Sequence, residues 1–407
     1  MYKKLLHGLI PIFVLALLLP TIVLAQSPTN DFEVVQARVA EWLASKPAPV
    51  ITADALYANL NDGNADNDPY ILSVRKPDIY AKGHVPGAHN IVWNQVAKPE
   101  NLATLPTDKP IVDYCYTGHT GQVAMTSLNL LGYDVTNMKF GMMGWTKNDD
   151  ILGTQRFYPD AVPDYPIETT INEPAQTYDF PVLNTGASDP KEIVRVAVDN
   201  YLSSGRSPVM PASDVYALIT DGDPTNDPVI VSVRKPEDYA KGHVPGAINI
   251  PWTQLGDPAQ LSKLPPDKPI IVYCYTGHTG QLATTLLNVM GYQATNMKFG
   301  MMGWTKNSDV LAQTPFNPDT QPDFPTEGTV ANTSEAQKEE SAPEPVSATA
   351  VPAQPEVANP LATAEPSAPQ PAEQSNNMIW VYILGIIAVA GIGTYAGFAR
   401  KTEKDAS

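Results

Sequence analysis

"CYTGHTGQ" occupies Cys115–Gln122 and returns, letter for letter, at Cys274–Gln281. The two copies contain the only two cysteines among 407 residues. Each copy follows a short apolar run, IVDY or IIVY, and precedes a segment of helical composition. A cysteine placed between a strand and a helix lies at the positive end of the helix dipole, which favours the nucleophilic thiolate.

The loop belongs to a unit that the chain contains twice, at a constant offset of 159 residues. The longest identical stretch is TNMKFGMMGWTKN, at 136–148 and again at 295–307. Each unit is about 138 residues long, which is the size of one domain. We therefore predict a first domain, a polar linker and a second domain at 31–168, 169–189 and 190–327.

Short apolar runs alternate with segments of helical composition inside each unit. The runs at 70–74 and 89–93 predict buried strands, whereas 53–60 and 122–131 predict helices, the latter ended by Gly132. This alternation predicts an α/β fold, with two domains that each have a mainly parallel sheet flanked by helices. Reactive groups in such sheets lie at the carboxyl ends of the strands, where both cysteines fall.

The two ends of the chain predict export and membrane anchoring. A short basic start, an apolar run and small residues indicate a signal peptide at 1–25. The uncharged segment 378–399 is long enough for a transmembrane helix, and the basic tail at 400–407 predicts a cytoplasmic C-terminus. Residues 331–376, rich in Pro, Ala and Glu, predict a disordered stalk. We thus expect a single-pass membrane protein whose domains lie outside the cytoplasm.

The charge of the chain argues against nucleic acid as a partner, and its two cysteines suggest a disulfide. A formal charge of −17 argues against nucleic acid, which requires a basic face. In an exported protein two cysteines also suggest a disulfide. Because Cys115 and Cys274 occupy equivalent places in two copies of one unit, each would have to leave its own loop, which disfavours a bridge.

The loop residues around each cysteine predict a cradle for an anion. Gly118 and Gly121 permit turns that aim several backbone N–H groups at one point, and Thr120 and its copy add a hydroxyl donor. A persulfide anion on the sulfur fits such a cradle without a metal or a cofactor. The candidate substrate-binding residues are Tyr116, Thr117, Gly118, His119, Thr120, Gly121, Tyr275, Thr276, Gly277, His278, Thr279 and Gly280.

With these motifs the sequence resembles the rhodanese family of sulfurtransferases in both repeats. The family's Cys-x-x-Gly-x-Thr/Ser loop is matched from Cys115 and from Cys274, and its upstream signature is matched by Val74-Arg75 with GHVPGA at 83–88. Gly144-Trp145 resembles its C-terminal motif. The resemblance implies catalysis by Cys115 and Cys274 through a persulfide. The sulfane sulfur would pass from thiosulfate, polysulfide or a persulfide to a thiol or cyanide.

The two copies differ at positions that bear on catalysis. Asp113 stands two residues before Cys115, where its negative charge would disfavour the thiolate, whereas the second copy has Val272. An acidic residue of the family pattern survives as Asp238 but is Ile79 in the first copy. These differences predict that the second domain is the better catalyst.

The basic residues near each cysteine bear on the structure of the site and on the choice of sulfur donor. Arg75 and Arg234 follow buried strands, and we expect them to support the site as structural ion-pair partners rather than as substrate clamps. For His119 and His278, substrate contact, tuning of the thiol and simple exposure all stay open. The loop contains neither Arg nor Lys, which favours polysulfide or a small persulfide at least as much as the thiosulfate dianion. A Cys-x5-Arg phosphatase is disfavoured because its arginine position is Gly121.

Two acidic loops have part of the residue pattern of a weak calcium site. Asp62 and Asp66 have the spacing of calcium ligands, and Asp221 and Asp223 echo it, but the turn glycine and the bidentate glutamate are missing. A solvated turn between helix and strand is the stronger prediction.

Two classes of function remain from the sequence. One is a membrane-tethered sulfurtransferase. The other is a non-catalytic module at the cell surface that carries sulfur or binds a protein. A cysteine in both copies favours the enzyme, because a binding module needs no nucleophile.

Overall fold

The computed structural model describes residues 30–45, 47–174 and 176–330. The predicted signal peptide, stalk, transmembrane helix and tail all lie outside these residues. Within the described ranges, no helix combines the length and apolar character needed to cross a bilayer.

Each repeat alternates strands and helices as predicted. The first repeat contains α1 (Asp31–Ala44), β1 (Val50–Ile51), α2 (Ala53–Leu60), β2 (Tyr70–Ser73), α3 (Pro77–Lys82), β3 (His89–Asn90), α4 (Pro99–Leu102), β4 (Ile111–Tyr114), α5 (His119–Leu130), β5 (Val135–Met138), α6 (Met142–Trp145) and α7 (Asp149–Leu152).

The second repeat has the same order of elements. It contains α8 (Pro190–Leu202), β6 (Val209–Met210), α9 (Ala212–Ile219), β7 (Val229–Ser232), α10 (Pro236–Lys241), β8 (Ile248–Asn249), α11 (Pro258–Leu261), β9 (Pro269–Tyr273), α12 (His278–Val289), β10 (Gln293–Met297), α13 (Met301–Trp304) and α14 (Ser308–Leu311).

Each domain is built on a five-stranded parallel sheet. The strand orders are β1-β5-β4-β2-β3 and β6-β10-β9-β7-β8, so the strand before each cysteine lies at the centre. The central strand β4 is buried along its whole length, as expected for a parallel sheet that helices cover on both faces. This confirms the predicted α/β class with parallel sheets.

The helices after the two loops end as the sequence predicts but begin earlier. Gly132 and Gly291 have φ values of 97° and 96°, the left-handed conformation typical of the residue after a helix. The helices were predicted to begin at Gln122 and its copy, yet α5 and α12 begin at His119 and His278. Each loop is therefore shorter than expected, and its histidine belongs to the first helical turn.

The two domains share their hydrophobic interior. One core cluster joins α1 and α5 of the first domain to α8 and α12 of the second, through residues such as Val35, Leu128, Val198 and Leu286. A second cluster, on the other faces of the sheets, also draws on both domains. Burying a side chain of this size contributes ~1.5–3 kcal/mol, so we expect the two domains to unfold together.

The repeats also exchange the segments that follow their last helices. We call 158–168 the first arm and 317–327 the second arm. The first arm lies on the second domain, where Trp304 Nε1 donates to the Pro166 carbonyl at 2.8 Å. The second arm lies on the first domain, where Trp145 Nε1 donates to the Pro325 carbonyl at 2.9 Å. The domain boundaries stay a prediction, but each repeat places its tail on the other domain.

Candidate active site

Each cysteine lies directly after the central strand of its sheet and before a helix of twelve residues. Cys115 Sγ accepts the backbone N–H of Gly118 at 3.1 Å, and Cys274 Sγ accepts that of Gly277 at 3.1 Å. Gly118 has φ of 91°, a conformation that non-glycine residues rarely adopt. The sulfur thus meets the N-terminal end of the helix, where unpaired N–H groups favour an anion.

Both thiols are free and enclosed. The structure contains no Cys115–Cys274 bridge, and each cysteine retains 1% of its surface. A sulfur donor in solution therefore reaches neither sulfur unless neighbouring groups move.

The two cysteine loops pack against each other across the two domains. The Phe140 N–H donates to His278 Nε2 at 2.9 Å, and the Phe299 N–H donates to His119 Nε2 at 3.1 Å. The two imidazoles stack with ring centroids 5.9 Å apart. A Cβ atom at Gly118 would collide with the His278 ring. We call this reciprocal packing of the two loops the interlock.

The hydrogen bonds of the interlock fix the state of both histidines. Each Nε2 accepts a hydrogen bond and therefore carries no proton, so Nδ1 donates to the hydroxyl of Thr117 or Thr276 at 3.0 Å. Burial lowers the pKa of His119 to about 3, with a smaller effect from Lys298. Burial also lowers the pKa of His278 well below its ordinary value. Both rings are neutral at physiological pH.

The structure excludes one of the alternatives that the sequence left open for the two loop histidines. Simple exposure is wrong, because His119 and His278 are each about 3% exposed. Both ring nitrogens of each are already bonded, so neither presents a free nitrogen to a substrate in this arrangement. Sequence periodicity could not reveal this role, because the partner backbone lies about 140 to 180 residues away.

The segments that meet the histidines have a strained backbone. Phe140 and Phe299 have φ values of 64° and 65°, which is unusual for a bulky side chain. Gly141 follows Phe140, and a Cβ there would collide with the Cys115 carbonyl. Strain of this kind persists only where the surroundings enforce it and is concentrated at functional sites.

Each strained segment also brings a lysine to the interlock. Lys139 and Lys298 are half-buried, and each ammonium lies over the following phenylalanine ring, 5.2 Å and 5.1 Å from the centroid. Neither lysine forms a salt bridge within the described part of the chain. Neither lysine was predicted from the sequence, because both lie outside the cysteine loop. Their place in the longest repeated stretch is the signal that could have found them.

The tyrosines of the two loops differ in their partners. The Tyr275 hydroxyl donates to Asp238 at 2.7 Å. Burial, and to a smaller extent the bond to Asp238, raises the pKa of Tyr275. The Tyr116 hydroxyl accepts the Lys76 N–H at 3.0 Å, and the position equivalent to Asp238 is Ile79. Only the second loop is thus tied to a carboxylate through its tyrosine.

The predicted hydroxyl and glycine contacts also have defined surroundings. Thr120 Oγ1 is enclosed and has no hydrogen-bond partner among the described residues. Gly121 and Gly280 lie against Asn137 and Asn296, where a Cβ would collide with the amide group. An arginine could not occupy this position without displacing the asparagine, which agrees with the case against a phosphatase loop.

Arg75 and Arg234 are structural, but not as ion-pair partners. Both are fully buried, and Arg75 donates to the carbonyls of Ile151 and Gly83 at 2.8 and 2.5 Å. Arg234 binds the equivalent carbonyls, and neither guanidinium forms a salt bridge among the residues that the structure describes. The expected ion pairs are replaced by backbone carbonyls of α7 and α14 and of the residues that follow α3 and α10, because the chain after each strand folds back over the guanidinium.

Asp113 shares a sheet face with Cys115, as strand alternation predicts, but it does not supply the expected charge. Its side chain is fully buried and accepts the Asn137 amide at 2.7 Å. Burial raises its pKa well above the ordinary value, which outweighs the hydrogen bonds. The carboxyl is therefore held towards its neutral form, and its predicted repulsion of the thiolate is weakened.

The acidic loops form turns. Asp62 accepts the Asn64 N–H and the Asn67 amide, and Asp221 makes the equivalent bonds. No group of three or more metal-ligating side chains occurs among the described residues. The weak calcium site at Asp62/Asp66 and Asp221/Asp223 stays a prediction.

Comparison with known proteins agrees with this geometry. The family model "Rhodanese-like domain" matches residues 52–148 and 211–307, and each range contains one of the two cysteines. A thiosulfate:glutathione sulfurtransferase from Saccharomyces cerevisiae is 31% identical over 100 residues, which cover 22% of this chain and 70% of that protein. The chain belongs to the rhodanese family and carries two rhodanese-like domains in tandem.

Other relatives match a single domain in length. A sulfurtransferase from Allochromatium vinosum is 29% identical over 84 residues, covering 20% of this chain and 77% of the relative. A rhodanese-like domain protein from Staphylococcus aureus is 26% identical, covers 23% of this chain and 86% of its own, and superposes with a TM-score of 0.21. The domain family and the curated relatives support sulfurtransferase activity in general.

Proposed function

We propose that this protein is a sulfurtransferase that moves a sulfane sulfur through a persulfide on Cys274 and Cys115. The observation that carries the proposal is the position of each sulfur at a helix N-terminus, where it accepts the N–H of Gly277 or Gly118 at 3.1 Å. Such a site stabilises the negative charge of a thiolate and of the persulfide that replaces it.

The reaction balances in two steps. The thiolate attacks the outer sulfur of thiosulfate, the S–S bond of the donor breaks, and sulfite leaves with the electron pair. The enzyme persulfide then gives its terminal sulfur to a thiolate or to cyanide, and the cysteine thiolate is restored. Polysulfide or a small persulfide enters the first step in the same way.

Access to the sulfur requires the interlock to open. With 1% of each cysteine exposed, the closed arrangement excludes water from the thiols and also excludes the donor. Turnover then includes a movement of the two loops, as in enzymes whose lids set the rate.

The place of the reaction is also a proposal. The apolar run and small residues at the start of the chain, and the uncharged segment 378–399 followed by basic residues, support a single-pass membrane protein with extracytoplasmic domains. Protease treatment of intact cells should then remove the domains and spare the tail.

The second candidate is a non-catalytic sulfur carrier or protein-binding module. The enclosure of both thiols behind the interlock is the observation that favours it. A protein-binding module would hold its loops together and leave both sulfurs unmodified, whereas a sulfur carrier would take up sulfur without catalytic turnover.

Mass spectrometry of the full chain distinguishes the two functions. After treatment with thiosulfate or polysulfide, we expect a mass increase of one sulfur atom on the peptides that contain Cys274 and Cys115, and its loss after cyanide is added. If neither peptide gains sulfur from any of these donors, the enzyme and the sulfur carrier are both excluded and the protein-binding module stands. A gain of sulfur without repeated formation of thiocyanate from thiosulfate and cyanide leaves the sulfur carrier.

A further inference from the structure

The interlock places a lysine from each domain next to the cysteine loop of the other domain. Lys298 directly precedes Phe299, whose N–H is bonded to His119 of the Cys115 loop at 3.1 Å. The Phe299 ring packs edge-on against the His119 ring, with centroids 5.1 Å apart, and the Lys298 ammonium lies over that same ring. Lys298 is therefore fixed next to the first loop, although it belongs to the second domain.

The arrangement is reciprocal. Lys139 directly precedes Phe140, whose N–H is bonded to His278 of the Cys274 loop at 2.9 Å. The Phe140 ring packs edge-on against the His278 ring, with centroids 5.0 Å apart, and carries the Lys139 ammonium on its surface. Lys139 is therefore fixed next to the Cys274 loop, as Lys298 is fixed next to the Cys115 loop.

The electrostatics agree with these contacts. Burial lowers the pKa of Lys298, and the charge of Cys115 opposes that effect. Burial likewise lowers the pKa of Lys139, and the charge of Cys274 opposes it. In both cases the cysteine that acts on the lysine belongs to the other domain.

We propose that each reactive sulfur is completed by a lysine of the other domain, with Lys298 serving Cys115 and Lys139 serving Cys274 as binding groups for anionic sulfur. The proposal rests on the proposed function for the sulfur chemistry alone. A half-buried ammonium without a carboxylate partner among the described residues is free to attract a thiosulfate dianion or to neutralise a persulfide.

The consequence is that neither domain contains a complete site. The cysteine loop itself has no cation, which from the sequence favoured polysulfide or a small persulfide at least as much as thiosulfate. The tertiary structure supplies the missing cation from 139 or 298, so thiosulfate becomes as suitable a donor as polysulfide.

Alkylation of the two cysteines tests this assignment in the full chain. The rate with iodoacetate, an anion, is divided by the rate with neutral iodoacetamide, and peptide mass spectrometry reads Cys115 and Cys274 separately. Lys298→Gln should lower the ratio at Cys115 by about 3- to 10-fold, as expected for losing one nearby charge, and leave the ratio at Cys274 unchanged. Lys139→Gln should do the reverse.

Matched variants separate local charge from net charge and from folding. Lys109→Gln and Lys268→Gln remove exposed lysines at equivalent positions of the two domains and should leave both ratios unchanged. Lys298→Arg keeps the charge and should keep the ratio at Cys115. Raising the salt concentration should lower the wild-type ratios towards those of the Gln variants, because attraction is screened within ~10 Å at 0.1 M.

The outcomes are distinct from those of the sulfur-transfer test. A fall confined to the cysteine of the same domain, an equal fall at both, or no fall would overturn the proposal. So would thiols that react with neither reagent in the folded chain. If the ratios change as expected while neither cysteine gains sulfur, the composite sites stand and the sulfurtransferase does not.

Discussion

Cys115 and Cys274 lie in identical octapeptides, yet the side chains around them differ. Asp113 lies on the cysteine side of β4 and binds Asn137, whereas the second domain has Val272 there and Asn296 donates instead to the Gly277 carbonyl at 3.1 Å. One asparagine thus binds a buried acid, and its counterpart binds the loop that contains Cys274.

A carboxyl group near a thiol repels the thiolate only if the carboxyl stays ionised in the folded chain, and burial decides whether it does. Asp113 was expected to repel the thiolate of Cys115, but burial raises its pKa and removes most of that repulsion. The Tyr275–Asp238 bond, which the first domain lacks, is a further difference that bears on catalysis. The second domain is still expected to be the better catalyst, by a smaller margin.

The largest expected effect comes from removing each nucleophile. Cys115→Ser with Cys274→Ser should abolish transfer from thiosulfate to cyanide, because serine forms no persulfide. Alone, Cys274→Ser should remove more than half of the thiocyanate formed, and Cys115→Ser should remove less than half. Equal losses, or the larger loss from Cys115→Ser, would contradict the remaining asymmetry.

The next effect concerns stability at the buried acid. Below the unfolded pKa of about 3.8 Asp113 is protonated in both states, and above it the unfolded chain loses this proton while the folded chain keeps it. The free energy of unfolding should therefore fall as pH rises from about 4 towards the raised folded pKa of Asp113, by about 1.4 kcal/mol for each pH unit between the two pKa values.

Asp113→Asn should remove that slope and stabilise the protein at neutral pH. Thermal unfolding at several pH values measures it, and the matched control Val272→Asp should introduce a similar slope in the second domain. An unchanged pH dependence in Asp113→Asn would show that this carboxyl is ionised in the folded state.

The smallest effect belongs to the tyrosine anchor. Asp238→Ile, which copies the first domain, should lower sulfur transfer by Cys274 about 2- to 5-fold, because a hydrogen bond to a charged group contributes roughly 1.5 kcal/mol or more before solvent screening. The assay uses Cys115→Ser as background, so that only Cys274 turns over. Ile79→Asp in the Cys274→Ser background is the matched gain, and no change in either variant would leave the two loops equivalent.

Much of the fold was predictable because local patterns and the exact repeat agree. The apolar runs before the cysteines predicted the central strands, and Gly132 predicted the helix end that the structure shows. The strand at 89–93 was predicted too long, since β3 includes only His89–Asn90. Short edge strands depend on neighbours that periodicity does not reveal.

The candidate nucleophile, its copy and the helix that follows each cysteine could be predicted from the sequence, because a strand, a glycine turn and a helix start are encoded within about ten residues. The groups that enclose each cysteine, and the lysine near each loop, could be seen only in the folded chain. His278 reaches Phe140, and Lys298 reaches the Cys115 loop, across gaps of well over a hundred residues. Such contacts form because two sheets bury one shared core, and their apolar packing brings the polar groups of the two loops together.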